Sequence, residues 1–403
     1  MSFRSREQSE TANCNLNPDN EQGSCHCRVF TQRSISPVCV ERTVIMKFIH
    51  TGDICWGFAP DAGTRWSRER SRDIRETFAD IVRKAVGMSA DFLFISGNLF
   101  SGQPLSGDLR DVNAILAQAP ALRTVIIAGT RDRITESSAV LGFPWASNVT
   151  FLYPDSSVYF DDFNLQVSGV SLTDGGEDPK PPELSAEHRL HVLLECGDDI
   201  SRLPAAPETP GWSYIALGGK RQSEIAAEGH AAFCGSPEPL SPEDTGDHGI
   251  YAGEIDSEGV LTSLTFLPMQ KARYISLTAG VTVRTTAREL EDALAEEIRR
   301  KGTDNIYTIR ISGERHPDEK FSFDMLNVRY RILDIEDTSE PQYDMNALFA
   351  EHPGDMIGFY IRAMQKPDMS TVEKKALYDG IRALLLSSRK ASGAERSENH
   401  ALH

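Results

Sequence analysis

From Met46 onward, short apolar runs alternate with stretches of helical periodicity, and this restricts the chain to a few layered architectures. Lys47 to His50 forms a short apolar strand that ends at Thr51-Gly52-Asp53, and Ile74, Phe78, Ile81, Val82, Ala85 and Val86 then recur at helical spacing over Ser71 to Met88. Asp91 to Ser96 predicts a second buried strand ending in Gly97-Asn98. Asp108 to Gln118 suits a helix, and Thr124 to Ala128 a third strand ending in Gly129-Thr130-Arg131-Asp132. Strands alternating with helices predict parallel pairing through right-handed crossovers. Residues just past the strand C-termini then converge on one edge, where such sheets build their sites. Here they are Asp53, Cys55, Asn98, Thr130, Arg131 and Asp132.

The next stretch is richer in strands: Asn164 to Val170, Leu190 to Leu194, Tyr214 to Leu217, Ala231 to Cys234, Gly249 to Ile255 and Leu261 to Leu267. Pro179 to Pro182 and Pro204 to Pro210 punctuate them as surface loops. Residues 46–270 therefore predict two sheets packed face to face with helices outside. Residues 271–340 predict a smaller unit, with a strand near Tyr274 to Leu277, a helix over Ala287 to Lys301 and strands over Ile306 to Ser312 and Tyr330 to Glu336. Residues 341–388 predict helices over Tyr343 to Met364 and Thr371 to Ser388, and 389–403 a tail without pattern.

Residues 1–45 lack periodicity and predict a disordered extension or an over-called start, although they hold Cys14, Cys25, Cys27 and Cys39 of the seven cysteines. The Cys25-His26-Cys27 spacing does not match the two-to-four-residue gap usual for zinc. A net charge of -17 excludes nonspecific attraction to polyanions by the molecule as a whole. No stretch reaches the roughly 20 apolar residues of a membrane span, and an odd cysteine count argues against a disulfide-stapled secreted protein. The expected address is cytoplasmic.

The order of the pieces carries a resemblance. MKFIHTGDICWG (Met46 to Gly57), DFLFISGNLF (Asp91 to Phe100), IIAGTRD (Ile126 to Asp132), LLECG (Leu193 to Gly197) and YIALGGKR (Tyr214 to Arg221), closed by FCGSPEPLSPED (Phe233 to Asp244), are similar in sequence and order to the motifs of calcineurin-like metallophosphoesterases. They most resemble the DNA-repair exonuclease branch that includes the nuclease subunit of the bacterial SbcCD complex. The resemblance implies an α+β fold, a four-layer metallophosphoesterase sandwich of two mixed sheets flanked by helices. It also implies a small α/β capping domain and C-terminal helices that dock on a coiled-coil ATPase.

That family holds two divalent metals through D-x-H, G-D, G-N-H-D, lone-His and G-H-x-H motifs. Here Asp53 is kept, but the D-x-H histidine is Cys55, the bridging Asp is Asn98, the metal-binding Asn is Thr130, and the His that protonates the leaving group is Arg131. The lone His corresponds to Cys196 if Gly197 fixes the register, or to Glu195 one residue earlier; the last two histidines are Gly219 and Arg221. Two dications about 4 Å apart repel strongly and need a shared anionic oxygen. Asn98 offers a neutral amide, and Arg131 and Arg221 add permanent positive charge. No catalytic residue set is therefore expected to survive, and no cofactor is expected. Manganese or another divalent metal enters only under the alternative reading.

Three readings of the rewritten pocket follow: Arg221 pairing with Asp53 in place of the metal; Arg131, Lys220 and Arg221 forming a phosphate-binding surface; or a soft-metal site from Cys55, Cys196 and Asp53. Elsewhere, His188 and His191 read as ordinary edge residues pointing to opposite faces, Ser236 matches no nucleophile elbow, and the Arg299 to Lys301 cluster complements a helix C-terminus. The leading expectation is a catalytically degenerate exonuclease-like subunit that contacts DNA beside an SMC-like ATPase, engaged through 341–388. The alternatives are an active exonuclease or phosphodiesterase with an altered metal site, and a scaffold protein unrelated to DNA. Oligomerisation is left open, and no membrane partner is expected.

Overall fold

The structure, a computed structural model, describes residues 46–154, 156–174, 183–197, 211–226 and 229–399. The expected N-terminal extension with its Cys-His-Cys cluster and the Pro179–Pro182 and Pro204–Pro210 loops lie outside these residues, as do the last four of the chain.

Two six-stranded mixed sheets form the centre of the α+β fold. The first runs β12-β11-β1-β2-β3-β4, with β1 at Met46–Thr51, β2 at Phe92–Ile95, β3 at Arg123–Ile126, β4 at Val149–Phe151, β11 at Gly249–Ile255 and β12 at Leu261–Pro268. As the alternation predicts, β1 to β4 pair in parallel, whereas β11 and β12 add on antiparallel. The second runs β5-β6-β7-β8-β10-β9: Ser157–Phe160, Leu165–Gly169, Leu190–Cys196, Tyr214–Gly218, Ala231–Phe233 and Glu224–Ala226 in that order. β4, β5 and β9 are three or four residues long and lie at sheet ends, and their sequences carry no predicted strand.

The period of two assigns the layers. In β2, Leu93 and Ile95 turn to helices α1 (Ser67–Gly87) and α2 (Ser106–Ala117), where they meet Phe78, Ile81, Leu109 and Val112. Phe92 and Phe94 turn the other way and meet Val167, Val192, Leu194 and Tyr214 of the second sheet. A strand covered on both faces must be apolar throughout, so β2 reads FLFI with every residue buried. The far face of the second sheet, Leu193, Ile215, Leu217 and Phe233, packs on Trp212 and Ala226, neither of them in a helix.

A small parallel sheet follows: β13 (Tyr274–Val281), β14 (Ile306–Arg315) and β15 (Arg331–Asp337), with β16 (Glu340–Pro341) on β14. Helix α3 (Ala287–Lys301) has the predicted bounds because both ends are written in the sequence. Thr286 and Glu289 form a reciprocal capping box, and Gly302 at φ 113° ends the helix. The short helix α4 (Asp324–Arg329) precedes β15. The helix expected over Tyr343 to Met364 is two, α5 (Met345–Glu351) and α6 (Met356–Met364). Pro353 and Gly354 break it, and the carboxylates of Asp344 and Asp355 each cap the helix that follows. The last helix, α7 (Thr371–Asn399), runs past the boundary expected at 388.

The parallel sheet is fastened to the first. Tyr274 and Trp66 both donate to Asp61, at 2.6 and 3.0 Å, and Arg65 donates to the carbonyls of Val328 and Tyr330. Beside this joint, fully buried Arg70 reaches Glu238 at 3.1 Å and the Pro239 carbonyl at 2.8 Å.

Candidate functional site

The loops after β1, β2 and β3 do converge, and the second sheet meets them with the ends of β7 and β8. Asp53, Cys55 and Asn98 have left-handed φ values of 49°, 53° and 54°, unusual for residues with a Cβ. The turns are held by backbone bonds from Asp53 N to Gly97 O at 3.0 Å and from Cys55 N to Asn98 O at 2.9 Å. Gly97 and Gly219, at φ 95° and 100°, are glycines of necessity. A Cβ on Gly97 would lie 2.9 Å from Cys196, and one on Gly219 2.7 Å from the Gly197 carbonyl oxygen.

Asp53 is the centre of the arrangement. Its Oδ1 accepts the Asn98 side-chain amide at 2.7 Å, and its Oδ2 accepts the backbone N–H of Gly219, also at 2.7 Å. The carboxylate thus joins the end of β2 in one sheet to the end of β8 in the other. Asn98 is oriented from behind, because its Oδ1 accepts the Arg131 backbone N–H at 2.7 Å and the Thr130 hydroxyl at 3.3 Å. With its oxygen committed to those donors, its NH2 must face Asp53. Asp132 is a fastener: its carboxylate accepts the N–H groups of Gly129, Phe100 and Asn98 at 2.7, 3.0 and 3.2 Å.

Burial sets the electrostatics. Desolvation lifts the Asp53 pKa from its ordinary 3.8 to about 6, against the opposing pull of the Asn98 and Gly219 hydrogen bonds and the Arg131 charge. Burial, with the Asp53 charge adding to it, pushes the Cys55 thiol up to about 12 and lifts Cys196 well above the ordinary range. Both therefore stay protonated thiols when no metal is beside them. Cys196 is the residue that faces the site, as the Gly197 register implies, because it joins the intersheet core with Leu194, while Glu195 alternates to the other side with Leu193.

The residues present do not fit the two-metal centre that the motif order implies. Both oxygens of the one retained carboxylate are engaged by protein donors, the bridging position carries an amide NH2, and no group of three His, Cys, Asp or Glu residues among the described residues could hold a metal ion. The soft-metal reading from Cys55, Cys196 and Asp53 fails on the same grounds.

The expected Asp53–Arg221 pair is overturned. Arg221 turns outward, its side chain 42% exposed, and binds Asp244 at 3.3 Å and the Ser241 hydroxyl at 2.8 Å. Gly219 explains why. Its backbone N–H already fills the place beside Asp53 and satisfies the carboxylate without a second buried charge, whose desolvation would cost more. The expected basic trio also comes apart, since Lys220 pairs with Glu224 at 2.7 Å over the Phe233 ring. Arg131 is exposed at the rim, and of the three its charge is the one felt at Asp53.

Two features carried no sequence signal. The Gly219 donor is a backbone group, which residue types do not reveal. His50, read as part of an apolar strand, is fully buried between the Tyr214 hydroxyl at 2.8 Å and the Ser96 hydroxyl at 2.9 Å, and burial lowers its pKa to about 3, so it stays neutral. His191 is an interior residue of its sheet bound to Gln166 at 3.2 Å, where an edge residue was expected, and His188 precedes the strand and meets Ser185 at 3.1 Å.

No family model matches the chain, and no curated protein matches it. Among solved structures, the crystal structure of TT1561 of Thermus thermophilus is similar over 56% of this chain and 100% of that one, at 14% identity and a TM-score of 0.34.

Proposed function

We propose that this chain is a metal-free, non-hydrolytic relative of the DNA-repair exonuclease branch of the calcineurin-like metallophosphoesterases, in which a hydrogen-bonded clamp stands where the metals would be. The observation that carries the reading is the clamp, Asn98 Nδ2 to Asp53 Oδ1 and Gly219 N to Asp53 Oδ2, each at 2.7 Å. In a two-metal site a bridging oxygen holds the cations together and so ties the two sheets. Here the same tie is made without charge transfer or water activation, and no residue at the site is poised as a nucleophile or general acid. The four-layer sandwich belongs to this reading, as does a structural or DNA-contacting role beside an SMC-like ATPase.

Arg131 at the rim supports a phosphate contact, since an exposed guanidinium matches a phosphate oxygen pair. Met356, Phe359, Val372 and Leu386, 52–78% exposed on α6 and α7, support partner docking through the C-terminal helices. The test is direct. Purified protein with manganese should not cleave single- or double-stranded DNA or an aryl phosphodiester, and metal analysis of protein prepared without chelator should find no stoichiometric metal. Metal-dependent cleavage that disappears in Asp53→Ala would establish the altered-metal alternative instead.

A further inference from the structure

The carboxyl edge of the small sheet borders a cavity. β13, β14 and β15 run parallel, so the residues at and after their C-terminal ends gather on one edge, the place where open α/β sheets build ligand sites. Arg315 and Asp337 close β14 and β15, Lys320 lies in the loop after β14, and Arg382 comes across from α7. Together they wall a cavity of about 380 Å³. It lies where two cores meet without merging: Leu290, Ile309 and Ile311 belong to α3 and the sheet, whereas Ile357, Ile361, Leu377 and Ile381 belong to α6 and α7.

The bases on this wall are uncompensated. Arg315 gives one guanidinium N–H to the Glu319 carbonyl at 3.3 Å, and Arg315, Lys320 and Arg382 enter no ion pair among the described residues. That is notable in a chain with 59 acidic and 42 basic residues, where Lys271, Arg273 and Arg310 each hold a carboxylate. Three carboxylates share the wall, but they are engaged elsewhere. Glu319 accepts the Ala287 N–H at 2.7 Å, Asp337 accepts the Ser339 N–H and hydroxyl at 2.9 and 2.6 Å, and Asp318 has a partner of its own. Three cations gathered on one cavity repel one another, and an anion between them removes that cost.

We propose that this cavity binds a small phosphate ester, the phosphate held by Arg315, Lys320 and Arg382 and the body of the molecule lying against Phe321, Pro341 and Leu385. A planar guanidinium matches a phosphate oxygen pair, and lysine adds a point charge. The volume is within the range of small-molecule pockets, about 300–1,000 Å³, and an apolar wall with a few charged groups is their usual make-up. Arg382 belongs to the helices and the other two bases to the sheet, so the bound phosphate ties the two cores together. The site shares no residue with the Asp53 clamp or with the Arg131 rim, and it does not depend on the reading of either.

Isothermal titration calorimetry of the full chain with adenosine monophosphate, at constant ionic strength, should give one site with a dissociation constant below about 1 mM. Adenosine, which lacks the phosphate, should bind at least about tenfold more weakly. Arg382→Gln and Lys320→Gln, both at exposed positions and checked for folding by circular dichroism, should each raise the constant about tenfold or more. Arg382→Lys should fall between Arg382→Gln and the parent. Arg131→Gln should leave the constant unchanged, which separates this site from the rim contact. No binding of adenosine monophosphate or inorganic phosphate, adenosine binding as tightly as its phosphate ester, binding that survives Arg382→Gln, or loss of binding in Arg131→Gln would each overturn the proposal. So would displacement by an unphosphorylated oligonucleotide, which would assign the bases to a nucleic-acid backbone.

Discussion

Replacing Asn98 by Asp puts a second carboxyl group against Asp53 and should damage the protein in a pH-dependent way. Asn98 Nδ2 lies 2.7 Å from Asp53 Oδ1, so the variant sets two carboxyl groups in contact within a site where Asp53 and Asn98 are 3% and 1% exposed. Two carboxylates with charge centres about 4 Å apart repel by about 4 kcal/mol at an effective dielectric near 20. A charge-assisted hydrogen bond of about 1.5–3 kcal/mol is lost as well. The pair can avoid most of this by sharing one proton, as coupled carboxyls do, which pushes one macroscopic pKa well above the usual range. At pH 5 the parent Asp53, with a pKa of about 6, is itself mostly protonated, and the variant pair readily takes up its shared proton, so the variant should be nearly as stable as the parent. At pH 8 the proton must be held against the solvent, and the cost should reach about 4 kcal/mol, or about 8–16 °C in melting temperature for a unit of this size. Thermal unfolding of both proteins at the two pH values, with chelator present, measures this. Equal losses at pH 5 and pH 8, or no loss at either, would refute the clamp as the structural core of the site.

In the unmodified chain Asp53 has a folded-state pKa of about 6 against an ordinary 3.8, so the native state holds its proton longer than the unfolded chain does. The stabilisation is complete below about pH 4 and should fade by about 3 kcal/mol as pH rises through 6. Urea unfolding across that window should show the slope in the parent and not in Asp53→Asn. Arg221→Ala should cost less than about 1 kcal/mol, because its partner Asp244 keeps the backbone donors of Leu240 and Ser241 and the arginine side chain is 42% exposed; a loss of several kcal/mol in chemical denaturation would contradict the outward geometry. Arg70→Ala should cost about 3–5 kcal/mol, since Glu238, 1% exposed, would be left as a buried charge, although it keeps the donors Thr77 and Lys271 N–H. A near-neutral melting shift there would show that the buried pair is dispensable.

Much of the scaffold was legible in the residues because it is written locally. The continuous apolar run FLFI, the spacing of Ile74, Phe78 and Ile81, and the Thr286/Glu289 capping box each state their own conformation within a few residues. The convergence of Asp53, Asn98 and Thr130 also followed from sequence, because parallel strands joined by helices must bring their C-terminal loops to one edge. That residue types unsuited to two metals stand at the ends of these strands was visible in the sequence. What they bond to was not. Whether Asp53 met Arg221 or the N–H of Gly219 depended on how two sheets, joined by long connections, place a backbone amide within 2.7 Å of a carboxylate. A backbone donor has no letter in the sequence, and a long-range hydrogen bond has no period. The neutral His50 between Ser96 and Tyr214 belongs to the same class, since its partners come from different strands and its charge state follows from burial that only the closed sandwich creates. Local sequence sets what each segment can be; the free energy of a buried polar group is set by its neighbours in space, and those neighbours exist only once the sheets have packed.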